Sequence, residues 1–173
     1  MAKLLLTGLI MGLVFSGMAQ TKDSRGYIVK IGDMAPDFEI NLTDGSKLKL
    51  SDLKGKVVML QFTASWCGVC RKEMPFIEKE IWQEHKEKDF ALYALDFDES
   101  LEKAEKLIAT TGITYPVALD EGAEIFTKYA HRESGVTRNV IVNKEGKIIY
   151  LTRLFNHEEF DGMKMAIEEE LKK

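Results

Sequence analysis

The sequence predicts one α/β domain: a central mixed sheet flanked by helices, with a β-hairpin extension at its N-terminal side. Three observations predict it. Two apolar runs, VVMLQF (residues 57–62) and FALYALDF (residues 90–97), are each followed by a helical pattern, the order of a parallel βαβ unit whose strands are buried on both faces. A stretch that alternates apolar and polar residues, FEINLTDGSKLKL (residues 38–50), turns at Asp44-Gly45, as a hairpin does. The length, 173 residues, suffices for one domain with a core and falls short of two.

Taken in chain order, the first segment stands apart from this domain. Lys3 precedes the twelve-residue apolar run LLLTGLIMGLVF, and small residues follow at Gly17 and Ala19. That is the layout of a secretory signal over residues 1–19, cut after Ala19, with the folded domain over residues 28–173. Twelve helical residues span only about 18 Å of a hydrocarbon core roughly 30 Å thick, so no stable membrane anchor is expected. The expected location is therefore outside the cytosol, in a bacterial periplasm. The chain carries a formal charge of −4; losing Lys3 with the leader leaves 23 bases against 28 acids, or −5. Such a balance offers nothing to neutralise phosphates and excludes a nucleic-acid partner.

After the hairpin, SDLKGK reads as a short turn ending at Gly55, and residues 57–62 as the central strand. A helix is expected over residues 67–88, with Met74, Ile77, Ile81 and His85 on one face and Pro75 kinking it. Residues 90–97 form the second buried strand. SLEKAEKLIATTG is an amphipathic helix stopped by Gly112, YPVALD a short strand, and GAEIFTKYAH another helix. Residues 139–151 turn at Glu145-Gly146 as an antiparallel hairpin, and the chain closes on a helix with Phe160, Met163, Ile167 and Leu171 inward. Methionines at that spacing are core filling rather than a cofactor box.

The chemistry concentrates at the junction of the first central strand with its helix. Cys67 and Cys70 are the only cysteines. A structural bridge across so short a loop would stabilise little, because the benefit grows with loop length. A reversible dithiol explains the spacing better. Cys67 lies at the helix N-terminus, where unsatisfied N–H groups and the positive dipole end favour a thiolate over the free thiol's pKa of about 8.5. Cys70, one turn on and more enclosed, stays a thiol until needed. Cys67 then attacks a substrate disulfide and Cys70 resolves the mixed disulfide.

WCGVC after an apolar strand resembles the thioredoxin active site. With GDMAPDFEI (residues 32–40), WCGVCRKEMP (residues 66–75) and NKEGKI (residues 143–148), the chain is similar to the exported TlpA/ResA-type thiol–disulfide oxidoreductases over residues 28–173. The resemblance implies a thioredoxin fold with an N-terminal hairpin, Cys67 as nucleophile, Cys70 as resolving thiol and Glu73 assisting proton transfer. It implies no cofactor and no metal. Protein thiols and disulfides would be the substrates, an upstream protein the electron donor, and a monomer that acts as a reductant the working form. Trp66, Gly68, Val69, Val136 and Thr137 would form the substrate groove and its support, with Trp66 shielding the motif. Gly68-Val69 would tune the potential. Glu73 acts on Cys70 if buried against the sheet and is an ordinary helix glutamate if exposed.

Two positions depart from the pattern. Gln61 stands where cytosolic thioredoxins carry a buried aspartate, and Thr137 where the family carries a cis-proline. A cis bond before threonine costs about 2.5–4 kcal/mol, so either packing imposes it or the loop is built differently. Arg138 is read as a surface residue ahead of a support for the thiolate.

Two other readings use the same cysteines. A peroxiredoxin-like thiol peroxidase shares the PDF entry, but its threonine or serine three residues before the attacking cysteine is Ala64 here. A copper-binding metallochaperone would need a histidine near the thiols. His85, His131 and His157 do not sit at motif spacing and read as surface or capping residues.

Overall fold

The computed structural model describes residues 24–173, and the leader read over residues 1–19 lies outside the described residues. Seven strands form one mixed sheet: β1 (Glu39–Leu42), β2 (Lys47–Lys49), β3 (Val57–Thr63), β4 (Phe90–Phe97), β5 (Val117–Asp120), β6 (Arg138–Val142) and β7 (Ile148–Leu151). Their order is β2-β1-β5-β4-β3-β6-β7. The pairs β3–β4 and β4–β5 are parallel; β1–β2, β1–β5, β3–β6 and β6–β7 are antiparallel. The expected hairpin extension is thus the edge beyond β5.

All seven residues of β3 are buried. The cause is its place between β4 and β6, with a packed layer on each face. One face carries α1 (Gly68–Ile77), α3 (Leu101–Thr111) and α4 (His157–Leu171), which cover Val57, Met59, Leu92 and Ile141 with Met74, Ile77, Leu107, Phe160 and Met163. The other face packs Val58, Leu60 and Phe62 against Tyr27, Phe38, Phe126 and Tyr129. Phe62 meets Phe126 edge-on at 5.4 Å between ring centroids, the favoured aromatic geometry.

Two helices differ from the sequence expectation. The helix after β3 leaves the α pattern at Ile77, widens into a π-helical segment over Glu78–Trp82 and ends in the short α2 (Gln83–His85). Pro75 supplies no N–H and its ring crowds the turn before it, so the ladder re-spaces just beyond it. The segment after β5 is not one helix but two 3-10 turns, Glu121–Ala123 and Phe126–Lys128. Gly122 (φ 67°) and Ala123 (φ 56°) are left-handed there, and the buried Asp120 carboxylate takes the Ile125 and Phe126 N–H groups at 2.7 and 2.8 Å. Local capping wins over helical periodicity.

Arg138 corrects the expectation of a surface residue: it is fully buried. Its guanidinium lies 4.4 Å from the Tyr27 ring centroid and donates to the carbonyls of Arg25 and Ser134, while Nε donates to Gly135 O. It ties the N-terminal segment to the loop entering β6. Lysine cannot reproduce that fork. Arg138→Lys should therefore cost at least about 2 kcal/mol, the scale of one lost charge-assisted bond, read as a lower urea midpoint at unchanged slope.

Candidate active site

Strand register decides what surrounds the dithiol. Thr63 pairs with Asp96 of β4 and Phe62 with Arg138 of β6. The turn leaving β3 therefore lies between the end of β4 on one side and the start of β6 on the other. Cys67 sits in this turn as the N-cap of α1 in extended backbone (φ −80°, ψ 102°), with its N–H bonded to Ala64 O at 3.0 Å. Its sulfur accepts the Cys70 N–H at 3.1 Å, in the manner of a capping oxygen.

Cys67 and Cys70 are joined as a disulfide, with Cα atoms 5.3 Å apart. Cys67 is 7 % exposed and Cys70 fully buried, so an incoming group meets Cys67 first. Thr137 closes the site from the β6 side. Its hydroxyl lies 3.2 Å from the Cys67 sulfur and 3.4 Å from the Cys70 sulfur. The Val136–Thr137 peptide is trans, since no cis bond occurs among the described residues. The loop is held by side chains instead: Arg138 as described, and Arg153, which donates to Ser134 O at 2.8 Å.

Glu73 is buried against the sheet, not an exposed helix glutamate. It lies between α1 and the sheet, where Asn139 donates to Oε1 at 2.7 Å and also reaches the Thr152 hydroxyl at 3.0 Å. Burial pushes its carboxyl up to about 7; Asn139 and Gln61 pull it back, and the Glu159 charge adds to the rise. Gln61, in the place of the aspartate, accepts from the Tyr115 hydroxyl at 2.8 Å. A neutral amide there leaves Glu73 as the carboxyl of this buried layer.

The remaining expected residues divide. Gly68 and Val69 are exposed at the first turn of α1, whereas Val136 and Thr137 are buried beneath the rim. Trp66 packs edge-on to Phe97 at 6.4 Å but remains 61 % exposed, so it borders the motif without shielding it. Leu154, absent from the sequence reading, stands half-exposed beside the site with φ 66° and donates its N–H to Thr137 O. The sequence also missed Asn139, Thr152 and Tyr115. Inward alternation along RNVIV could have found Asn139; nothing local marks the other two. Of the histidines, His131 and His157 are exposed, but His85 is buried against Phe90, contrary to a surface position. No group of three metal-binding side chains occurs among the described residues.

Comparison with known proteins agrees with this geometry. The family model described as Redoxin matches residues 30–167. The thiol-disulfide oxidoreductase ResA of Bacillus thuringiensis (strain Al Hakam) is 33% identical over 146 residues, covering 84% of this chain and 80% of that protein. A solution structure of a candidate protein disulfide isomerase from Bacteroides thetaiotaomicron superposes with a TM-score of 0.83 at 63% identity, covering 86% of this chain and 94% of the other. The crystal structure of a candidate thiol:disulfide interchange protein DsbE from Chlorobium tepidum superposes at 0.73 and 29% identity, covering 83% and 99%. The chain thus belongs to the Redoxin family, as a TlpA/ResA-type thioredoxin-like protein whose chemistry is thiol–disulfide exchange.

Proposed function

We propose that the protein is an exported reductant of protein disulfides, in which Cys67 attacks, Cys70 resolves and Glu73 takes the Cys70 proton. One observation carries the reading: the outer sulfur caps the helix while the inner one is sealed from solvent. In the reduced state the Cys67 thiolate keeps the Cys70 N–H and gains the Thr137 hydroxyl as a donor. Attack forms a bond between Cys67 and a substrate sulfur and expels the other substrate sulfur as thiolate. Cys70, deprotonated by Glu73, then bonds to Cys67 and releases the second substrate thiol. The protein is left with the disulfide and the substrate with two thiols, so an upstream dithiol protein must restore Cys67 and Cys70.

Residues 1–19 fit a cleaved leader and residues 28–173 the exported domain, working as a monomer in a periplasm. Among the described residues no helix is long and apolar enough to cross a membrane. Exposed Trp66, Val69 and Leu154 form an apolar rim suited to an unfolded protein segment. The oxidative alternative needs the reduced form to be stabilised further. Equilibration against glutathione buffers distinguishes the two: a potential near about −270 mV is expected, and one near about −120 mV would make the protein an oxidant.

Thr137 supplies a hydroxyl where proline could not. Thr137→Val should slow alkylation of reduced Cys67 at pH 7 by roughly tenfold, the equivalent of one charge-assisted bond, with little change in secondary structure by circular dichroism.

Glu73 must be ionised to accept a proton, so resolution should weaken as pH falls through about 7. Glu73→Gln should slow release of thionitrobenzoate from a Cys67 mixed disulfide on the order of 10²-fold and erase that inflection. An unchanged profile in single-turnover measurements would remove Glu73 from the mechanism.

A further inference from the structure

A second buried carboxyl lies on the other side of the reactive turn, unused by the mechanism above. Asp96, at the end of β4, is fully buried, and neither of its oxygens meets a hydrogen-bond donor among the described residues. The carboxyl that bears on it most is that of Glu99, three residues on: Glu99 bonds Ser65, two residues past the Thr63 that pairs with Asp96 across the sheet. Glu99 is itself buried and fully engaged: it accepts the Ser65 N–H at 2.5 Å and the Ser65 hydroxyl at 2.7 Å, with Lys103 Nζ at 3.6 Å. Ser65 is two residues before Cys67 and lies in the same turn.

Two neighbouring bare carboxylates would repel strongly in a poorly solvated site. A single proton between them removes the conflict. Asp96, which has no donor, holds that proton and turns it toward the Glu99 carboxyl, which already takes two hydrogen bonds from Ser65. We infer that Asp96 is a positioning residue: its proton lets Glu99 grip Ser65 and so fixes the turn that presents Cys67. Loss of that proton to solvent puts two charges side by side and loosens the grip.

The surroundings offer little to offset a second charge. Lys103 on α3 approaches Glu99, and its field favours ionisation of Asp96. Arg71 on α1 is committed to the Ser65 carbonyl. Asp98 bonds to Arg132 and to the Gly122 N–H. From β3 and β5 the register neighbours are Thr63 and Leu119, which do not titrate. Burial, with the Glu99 carboxyl next, raises Asp96 to about 7. Because the folded chain holds this proton more tightly than the unfolded one, the stability it confers is complete below about 3.8. It is lost as pH rises through about 7.

The test follows the Ser65 amide by ¹H–¹⁵N NMR from pH 5 to 9 in the oxidised protein, with Glu73→Gln introduced to remove the other titrating carboxyl. The Ser65 resonance is expected to move with a midpoint near 7. Adding Asp96→Asn, whose amide donates to Glu99 at every pH, should abolish that movement and raise thermal stability at pH 8 but not at pH 5. In the reduced double variant, the pH profile of Cys67 alkylation should then lose one of two inflections. A Ser65 resonance that does not titrate, or that titrates equally with asparagine at 96, would overturn the inference. The titration of Asp96 itself, followed by its ¹³C carboxyl in the unmutated chain, reads the same proton without any variant, and a midpoint near 3.8 there would equally overturn it. The amide readout does not depend on which cysteine attacks, so its failure is distinguishable from failure of the proposed mechanism.

Discussion

The sulfur of Cys67 occupies the place of a helix N-cap, and the rest of the site is arranged around that substitution. A capping oxygen satisfies one N–H and has no further chemistry at neutral pH. A capping sulfur satisfies the same Cys70 N–H at 3.1 Å and is stabilised as an anion by the same helix end. Structure and reactivity therefore rest on one contact. It also forces the partner inward: the residue whose N–H is capped is Cys70, and its side chain, one turn into the helix, lies against the sheet with no exposure.

In the proposed mechanism, sealing the second sulfur creates the need for a buried proton acceptor, since water does not reach a fully enclosed thiol. Glu73 sits one further turn inside, on the same helix face, and the sheet provides Asn139 and Gln61 to keep an ionised form accessible. The acceptor strength is a balance. Burial alone would leave a carboxyl protonated at neutral pH, and a full set of donors would leave it too weak a base. Burial on one side, and Asn139 and Gln61 on the other, place Glu73 between these limits.

Much of this was legible because it is local. Apolar runs marked β3 and β4, Asp-Gly and Glu-Gly marked both hairpins, and the Cys spacing on a helix start marked the dithiol. What escaped depends on register. Asn139 and Glu73 are 66 positions apart, and Ser65 and Glu99 are 34 apart; only the pairing of β3 with β6 and β4 brings either pair together. Arg138 escaped for a related reason. Its burial depends on Tyr27, whose place is set by a bridge to Ala130 rather than by any nearby sequence signal. The helix read over residues 122–131 failed differently: its periodicity was real, but a buried aspartate and two left-handed residues offered the backbone better local partners.

Thr137 shows how a departure from the family pattern is absorbed. Proline would fix this loop through its own ring, with no hydroxyl to offer either sulfur. Here the ring is missing, and the constraint comes from two guanidinium groups that bond the carbonyls of Ser134, Gly135 and Thr137. Gly135 is part of the same solution. Its φ is 83°, and a Cβ there would lie 2.2 Å from Arg153 Nη2, so only glycine lets the arginine approach. With the backbone held from behind, the side chain at 137 is free to face the disulfide, and its hydroxyl stands within 3.4 Å of both sulfurs. A rotatable O–H between two sulfurs can donate to whichever carries the charge. In the proposed exchange the same residue would serve the attacking thiolate before exchange and the resolving one during it, which a proline in its place could not do.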